Sequence, residues 1–255
     1  MDPATIIGVV LAFVAIFASM ILEGGSPMAI FLLPPLLLVF VGTIGAGLAG
    51  GLLSDAKKAA ASLKDAFTGS PISADETVAT VVKLAESARR EGLLALESAV
   101  QDIDDAFLRQ GLQSAIDGAD PEELREILYA QIDTKRAEDR RAAKFFGDMG
   151  GYAPTIGIIG TVIGLVHVLE NLADPAQLGH LIAGAFVATL WGVLSANILW
   201  LPISSRLKRL SDCACQQMEV AVEGVLAIQS GTSPRVVQEK LQSYLPAGAS
   251  EKEAA

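Results

Sequence analysis

The residues best placed to do chemistry in this chain are hydroxyls set among glycines. Pro154, Gly157, Thr161 and Gly164 recur every three or four positions, as do Ala185, Thr189, Gly192 and Ala196, so each set falls along one side of a helix. Small residues let two backbones approach closely, and a threonine hydroxyl among them can bond a carbonyl, a water or a neighbouring side chain. Periodicity alone favours plain helix packing; a polar lining for a passing ion is the other reading.

Around these faces the informative observation is missing charge. No Asp, Glu, Lys or Arg lies near the middle of any long apolar stretch, although ionisable residues within spans are the usual markers of ion pathways. The chain therefore has no carboxylate of its own with which to shuttle a proton there. His167 and His180 fall near the outer end of the third stretch and in the turn after it, where interfacial hydrogen bonding is expected and not a proton relay. Glu23, Glu170 and Asp174 make an acidic, solvated rim beside them. Cys213 and Cys215 form a lone C-x-C without partner ligands and read as ordinary helix residues, so no metal site and no cofactor are expected. No nucleophile and base set, ligand cluster or phosphate loop emerges, and enzymatic activity is not expected.

The elements that must carry these faces are apolar stretches without charge: Pro3 to Leu22, Gly24 to Ser54, Met149 to Leu169 and Pro175 to Ser205, of 20, 31, 21 and 31 residues. A helix needs about 20 apolar residues to cross the hydrocarbon, so each stretch suffices for one crossing. All 19 Lys and Arg residues lie elsewhere, between Lys57 and Lys144 or from Arg206 onward. Cationic segments are retained on the cytoplasmic side, which predicts an all-α, multi-pass membrane protein with both termini cytoplasmic. Met1-Asp2-Pro3 has no positive n-region, so the first stretch is read as a retained helix. A net charge of -10 with no basic stripe argues against nucleic-acid binding.

Residues 3–53 are thus expected to hold transmembrane helices 1 and 2, residues 54–149 a helical cytoplasmic loop, residues 150–205 transmembrane helices 3 and 4, and residues 206–255 a helical cytoplasmic tail, disordered at its end. Within the loop, Lys57 to Phe67 reads as a continuation of the second span, broken at Gly69-Ser70-Pro71. Ser73 and Glu76 form a capping-box pattern ahead of Val78, Val81, Val82 and Ala85, and Gly92 ends that helix. Asp120-Pro121 opens another helix with an apolar stripe of Leu124, Ile127, Leu128 and Ile132, and the charged run from Lys135 to Lys144 reads as a solvated face leading to the third span.

Several separated segments carry a family resemblance. Glu23-Gly24-Gly25-Ser26-Pro27, the loop run from Ser87-Ala88-Arg89-Arg90-Glu91-Gly92 to Glu97, the Pro154 to Gly164 segment, and Glu223-Gly224-Val225-Leu226-Ala227-Ile228-Gln229-Ser230-Gly231 with Ser233-Pro234-Arg235 all resemble the MotA family of the MotA/TolQ/ExbB proton-channel superfamily. The resemblance runs from the first span to about Tyr244. It implies the A subunit of a bacterial flagellar stator in the inner membrane. Such subunits form a homo-oligomeric ring, usually five copies, around a dimer of B subunits whose single helices bring the aspartate that takes and releases the coupling ion. TolQ and ExbB proteins use the same physics, but they resemble three-span proteins with an outward N-terminus; a conducting-nothing membrane scaffold is a third class.

Carried onto this sequence, the resemblance makes Pro154, Gly157, Thr161, Gly164, Ala185, Ala188, Thr189 and Pro202 the ion pathway and B-subunit interface. It makes Arg89, Glu97 and the neighbouring Arg90 the contact with the rotor protein FliG. Without the family, those three charges read as a solvated helix face. Sodium-driven members resemble a Thr-Thr pair where this chain has Ala188-Thr189; one hydroxyl fewer removes an oxygen ligand that a dehydrated sodium ion would want. The proton is therefore the expected coupling ion and sodium the alternative.

Overall fold

The computed structural model describes residues 4–70 and 74–245, and all regular structure among them is helical. The expected positions at Pro3, Pro71 and Ser73 and the terminal residues 246–255 lie outside the described residues. The chain forms two compact units, one of Met1–Ser70 with Asp139–Arg209 and one of Pro71–Glu138 with Leu210–Ala255.

The first unit contains α1 (Ala4–Leu22), a 3-10 turn (Pro27–Ile30), α2 (Leu33–Ala49), α3 (Leu53–Thr68), the apolar half of α7 (Pro121–Glu170), α8 (Pro175–Ser195), a π-turn (Ala196–Trp200) and the start of α9 (Leu201–Gln229). Three helices hold an apolar window long enough to cross a membrane: Thr5–Leu22, Pro121–Glu170 and Pro175–Gln229. The fourth apolar helix, α2, has 17 residues, or about 25 Å at 1.5 Å per residue. Side chains such as Leu11, Ile159 and Val162 stand exposed on these helices, a surface that suits lipid or a packed partner and not water. This is a membrane-embedded protein.

Aromatic contacts tie α1 to α8: Phe17 meets Phe31 at 6.1 Å and Phe31 meets Trp191 at 5.5 Å. Trp191 then donates its indole N–H to the Ile30 carbonyl at 2.7 Å, pinning the 3-10 turn. Below them, Ala59, Ala66, Ala142, Phe146, Met149, Ile203 and Leu207 form a second core that joins α3, α7 and α9.

The second apolar stretch does not run on into the loop as its sequence leads one to expect. α3 does not continue α2; the helix stops at Ala49, and Leu52 is extended at φ -93, ψ 147 before α3 begins. Gly50 and Gly51 cost helix stability through backbone entropy, so the chain bends where they stand together. The end of α3 at Thr68 agrees with the expected break.

The second unit contains α4 (Ala74–Glu91), a 3-10 turn (Leu93–Ala95), α5 (Leu96–Gln101), α6 (Ala106–Ile116), the polar half of α7, the rest of α9 and α10 (Pro234–Gln242). Asp120 accepts from the amides of Glu122 and Glu123 at 3.0 and 3.2 Å, which caps α7 as its side chain leads one to expect. The charged run and the third apolar stretch are one helix of 50 residues. Val78, Val81, Ala85, Leu124, Leu128 and Ile132 enter a common core with α6 and α9, and Cys215 is buried there. Ile127 does not enter it; it is 53% exposed, because the buried stripe of α7 follows a spacing of four and Ile127 falls beside it.

The buried polar centre of this unit is Glu223. Its carboxylate receives Lys240 Nζ at 2.6 Å, Arg125 Nη1 at 3.0 Å and the Tyr129 hydroxyl at 3.2 Å, so α7, α9 and α10 share one ionic joint. Burial pushes the carboxyl pKa up, but the Lys240 bond and charge, Arg125 and the Tyr129 bond outweigh burial and hold it below the usual range. Burial, then the Glu223 charge and bond, push Tyr129 up to about 12.

Linkage gives the pH response. A depressed glutamate stabilises the fold at neutral pH and loses that contribution as pH falls below about 4.3. A raised tyrosine leaves stability unchanged up to about pH 10, its ordinary value, and removes it as pH climbs beyond. Thermal unfolding of the detergent-solubilised chain should therefore weaken on both limbs, with Glu223→Gln flattening the acid limb. Truncation by Glu223→Ala frees two cations that are each partly open to water and should cost about 1–3 kcal/mol.

Candidate functional site

The two small-residue faces meet each other. The Thr161 and Thr189 hydroxyls are in direct contact across α7 and α8. Thr161 also lies within donating distance of the Ala185 carbonyl at 3.0 Å and the Gly157 carbonyl at 3.3 Å, and Thr189 of the Gly157 carbonyl at 3.3 Å. With one proton each, one hydroxyl donates to the other and the second donates to a carbonyl, while oxygen lone pairs remain to accept from a water or a donor on a partner. Both threonines are only half-buried, so the pair is reachable from one side.

Glycine makes this approach possible. A Cβ on Gly157 would lie 2.8 Å from the Ala188 carbonyl oxygen and 3.2 Å from the Gly192 Cα, and one on Gly192 would lie 2.7 Å from the Ala153 carbonyl oxygen. Gly164 stands as close to Ala185, whose Cβ would be 2.7 Å away. The structure thus brings Gly157, Thr161, Gly164, Ala185 and Thr189 together in one seam. Pro154 lies half-buried within α7, one residue after the carbonyl that faces Gly192; lacking an N–H, it leaves the Gly150 carbonyl without its usual donor.

Ala188 enters the seam as backbone and packing: its carbonyl faces Gly157, and its side chain, 2% exposed, packs on Gly160. One sequence-predicted residue stands outside the seam. Pro202 follows the π-turn and borders a separate cavity of about 360 Å3 with Thr5, Gly8, Ala12 and Asn197. A proline after an i to i+5 turn leaves a carbonyl there unmatched, a local loosening of the helix. Sequence reasoning missed the π-turn, which has no periodic signal, and missed Gly160, whose spacing from Gly157 and Gly164 was visible. It also missed a cavity of about 740 Å3 that runs from His167, Glu170 and His180 to Gly164, Ala185 and Ala188. His167 Nδ1 lies 3.4 Å from the Glu170 carboxylate at that rim.

In the second unit Arg89 and Arg90 are exposed in the last turn of α4, and Glu97 is exposed in the first turn of α5. Each charge complements the helix end it occupies. Gly92 separates them at φ +88, a left-handed conformation that glycine adopts without strain. None of the three makes an ion pair with another described residue.

Residues 6–92 match the family described as motility protein A N-terminal, and residues 99–220 match the MotA/TolQ/ExbB proton channel family. Motility protein A of Bacillus subtilis is 38% identical over 97% of this chain and 92% of its own length. The chain belongs to the motility protein A family. Its members are flagellar stator subunits, and this chain is one of them. The MotAB structure from C. jejuni superposes with a TM-score of 0.94 at 32% identity, covering 98% of both chains. The flagellar MotAB stator complex from Bacillus subtilis superposes at 0.91 and 38% identity, covering 99% of this chain and 100% of that one. The glycine seam of this chain should tolerate no added side chain. Gly192→Val should lower thermal stability in detergent by about 1–3 kcal/mol, whereas Gly179→Ala, which meets nothing within 4 Å, should stay near neutral.

Proposed function

We infer that this stator subunit supplies the hydroxyl-lined wall of a proton path whose titrating acid is carried by a B subunit. The observation that carries the reading is the Thr161 and Thr189 pair, half-buried and with acceptor capacity to spare, in apolar stretches that hold no carboxylate near their middle. A conducting layer without its own acid requires one from a partner. In this reading copies of the chain form a five-membered ring around a B-subunit dimer, with the seam of α7 and α8 turned inward. Four crossings place α1, α2, the apolar half of α7 and α8 in the bacterial inner membrane. The loop between the second and third crossings and the tail lie in the cytoplasm, where the Lys and Arg residues are. Ala188 and the cavity toward His167 border this path without joining the hydroxyl pair, and Pro154 and Pro202 loosen the helices on either side of it.

Arg89, Arg90 and Glu97 engage the rotor protein FliG. Their exposure and opposite signs on the two sides of Gly92 support this role. Exposed charges contribute about 0 to 1 kcal/mol each, a strength that suits a contact made and released at every step. Neutralising Arg89 and Glu97 together should abolish swimming while the assembled complex still conducts ions; loss of conduction with an intact rotor contact would contradict these roles. Swimming speed should not change when sodium is withdrawn at constant proton motive force, and arrest would make sodium the coupling ion.

A further inference from the structure

The loop edge carries an apolar side chain that its fold does not use. Gly92 ends α4 in the left-handed region, and Leu93–Ala95 form a single 3-10 turn before α5. Such a turn has three residues per revolution, so Leu93 and Leu96 point the same way. Leu96 is fully buried and Leu93 packs on the core, which leaves Leu94 turned outward at 73% exposure. Among the described residues of the second unit no other large apolar side chain is as exposed; Ile127, at 53%, comes next. A lone surface leucine is ordinary. This one is distinguished by its company, with Arg89, Arg90 and Glu91 exposed before it and Glu97 exposed after it.

An apolar side chain inside a polar rim is the layout of an interface centre, where the rim excludes water and the apolar contact carries most of the binding. We propose that Leu94 is the apolar anchor of the rotor contact, seated on a rotor surface that offers an apolar side chain flanked by an acid toward Arg89 and a base toward Glu97. The proposal rests on the assignment of Arg89 and Glu97 to the rotor contact, and the order of charges around Leu94 dictates the order on the partner. The charges orient the two surfaces, and Leu94 keeps them together under load. Rim charges act chiefly on encounter and register, whereas a central apolar contact acts on residence.

The test uses the full chain with its B subunit in motile cells that depend on it. Leu94→Met, Leu94→Ser and Leu94→Asp are compared with the double change Arg89→Ala and Glu97→Ala for swimming speed, ion conduction and amount of assembled complex in the membrane. Leu94→Met should swim as the parent does, Leu94→Ser should lose about half its speed or more, and Leu94→Asp should not swim, with conduction and complex amount unchanged in all three. Normal swimming by Leu94→Ser and Leu94→Asp, while the double charge change is impaired, overturns the anchor and leaves the charged contact standing. Normal swimming by the double change overturns both, because the partner's chemistry is argued from those charges. A fall in complex amount with Leu94→Ser places the side chain between copies of the chain and also overturns the proposal.

Discussion

Two helix backbones touch in this protein, and its candidate ion path exists because they do. Gly157 and Gly192 are each other's neighbours at distances that leave no room for a Cβ, and that contact carries Thr161 and Thr189 to hydroxyl contact one turn further along. In a bilayer, helices gain little from excluding lipid, so association depends on close packing and on hydrogen bonds between helices. Both are present in the seam. The two threonine protons go to one carbonyl and to the link between the hydroxyls, and lone pairs remain, which makes a polar surface without placing a charge in hydrocarbon.

The second unit works on a different principle. Its core is an ordinary packed cluster of aliphatic side chains from α4, α6, α7 and α9. Glu223 is its buried charge, and the cations from α7 and α10 that hold it add an ionic contact to the apolar anchoring of α10 by Val237 and Leu241. α10 packs against α4, the helix that ends in Arg89 and Arg90, so the joint helps to set the surface from which those charges project. A buried charge is tolerable there because Lys240, Arg125 and Tyr129 all bond to it.

Much of this was legible in the residues. The partition of Lys and Arg, the charge-free stretches, the Asp120 cap and the helix break at Gly92 are local matters of composition, capping chemistry and backbone freedom, and the structure shows the cap and the break. The two small faces could likewise be marked out, since a spacing of three and four assigns residues to one side of a helix whatever lies beside it. Where the reasoning erred, it extended a local pattern past what local physics decides. Ile127 matches a helical stripe yet faces solvent, and the apolar run after Gly24 reads as one long span yet divides at Gly50 and Gly51.

By itself, the sequence determined that the chain is helical, which segments are apolar, which lack charge, and which residues share a helix face. Tertiary structure alone decided that the two small faces meet each other, that the Ala188 side chain packs on Gly160, that a π-turn precedes Pro202, and that Glu223 gathers cations from two other helices. The reason is that periodicity defines an angle around one axis, whereas a contact needs the angle, depth and distance of two axes at once, and those are set only when the helices pack.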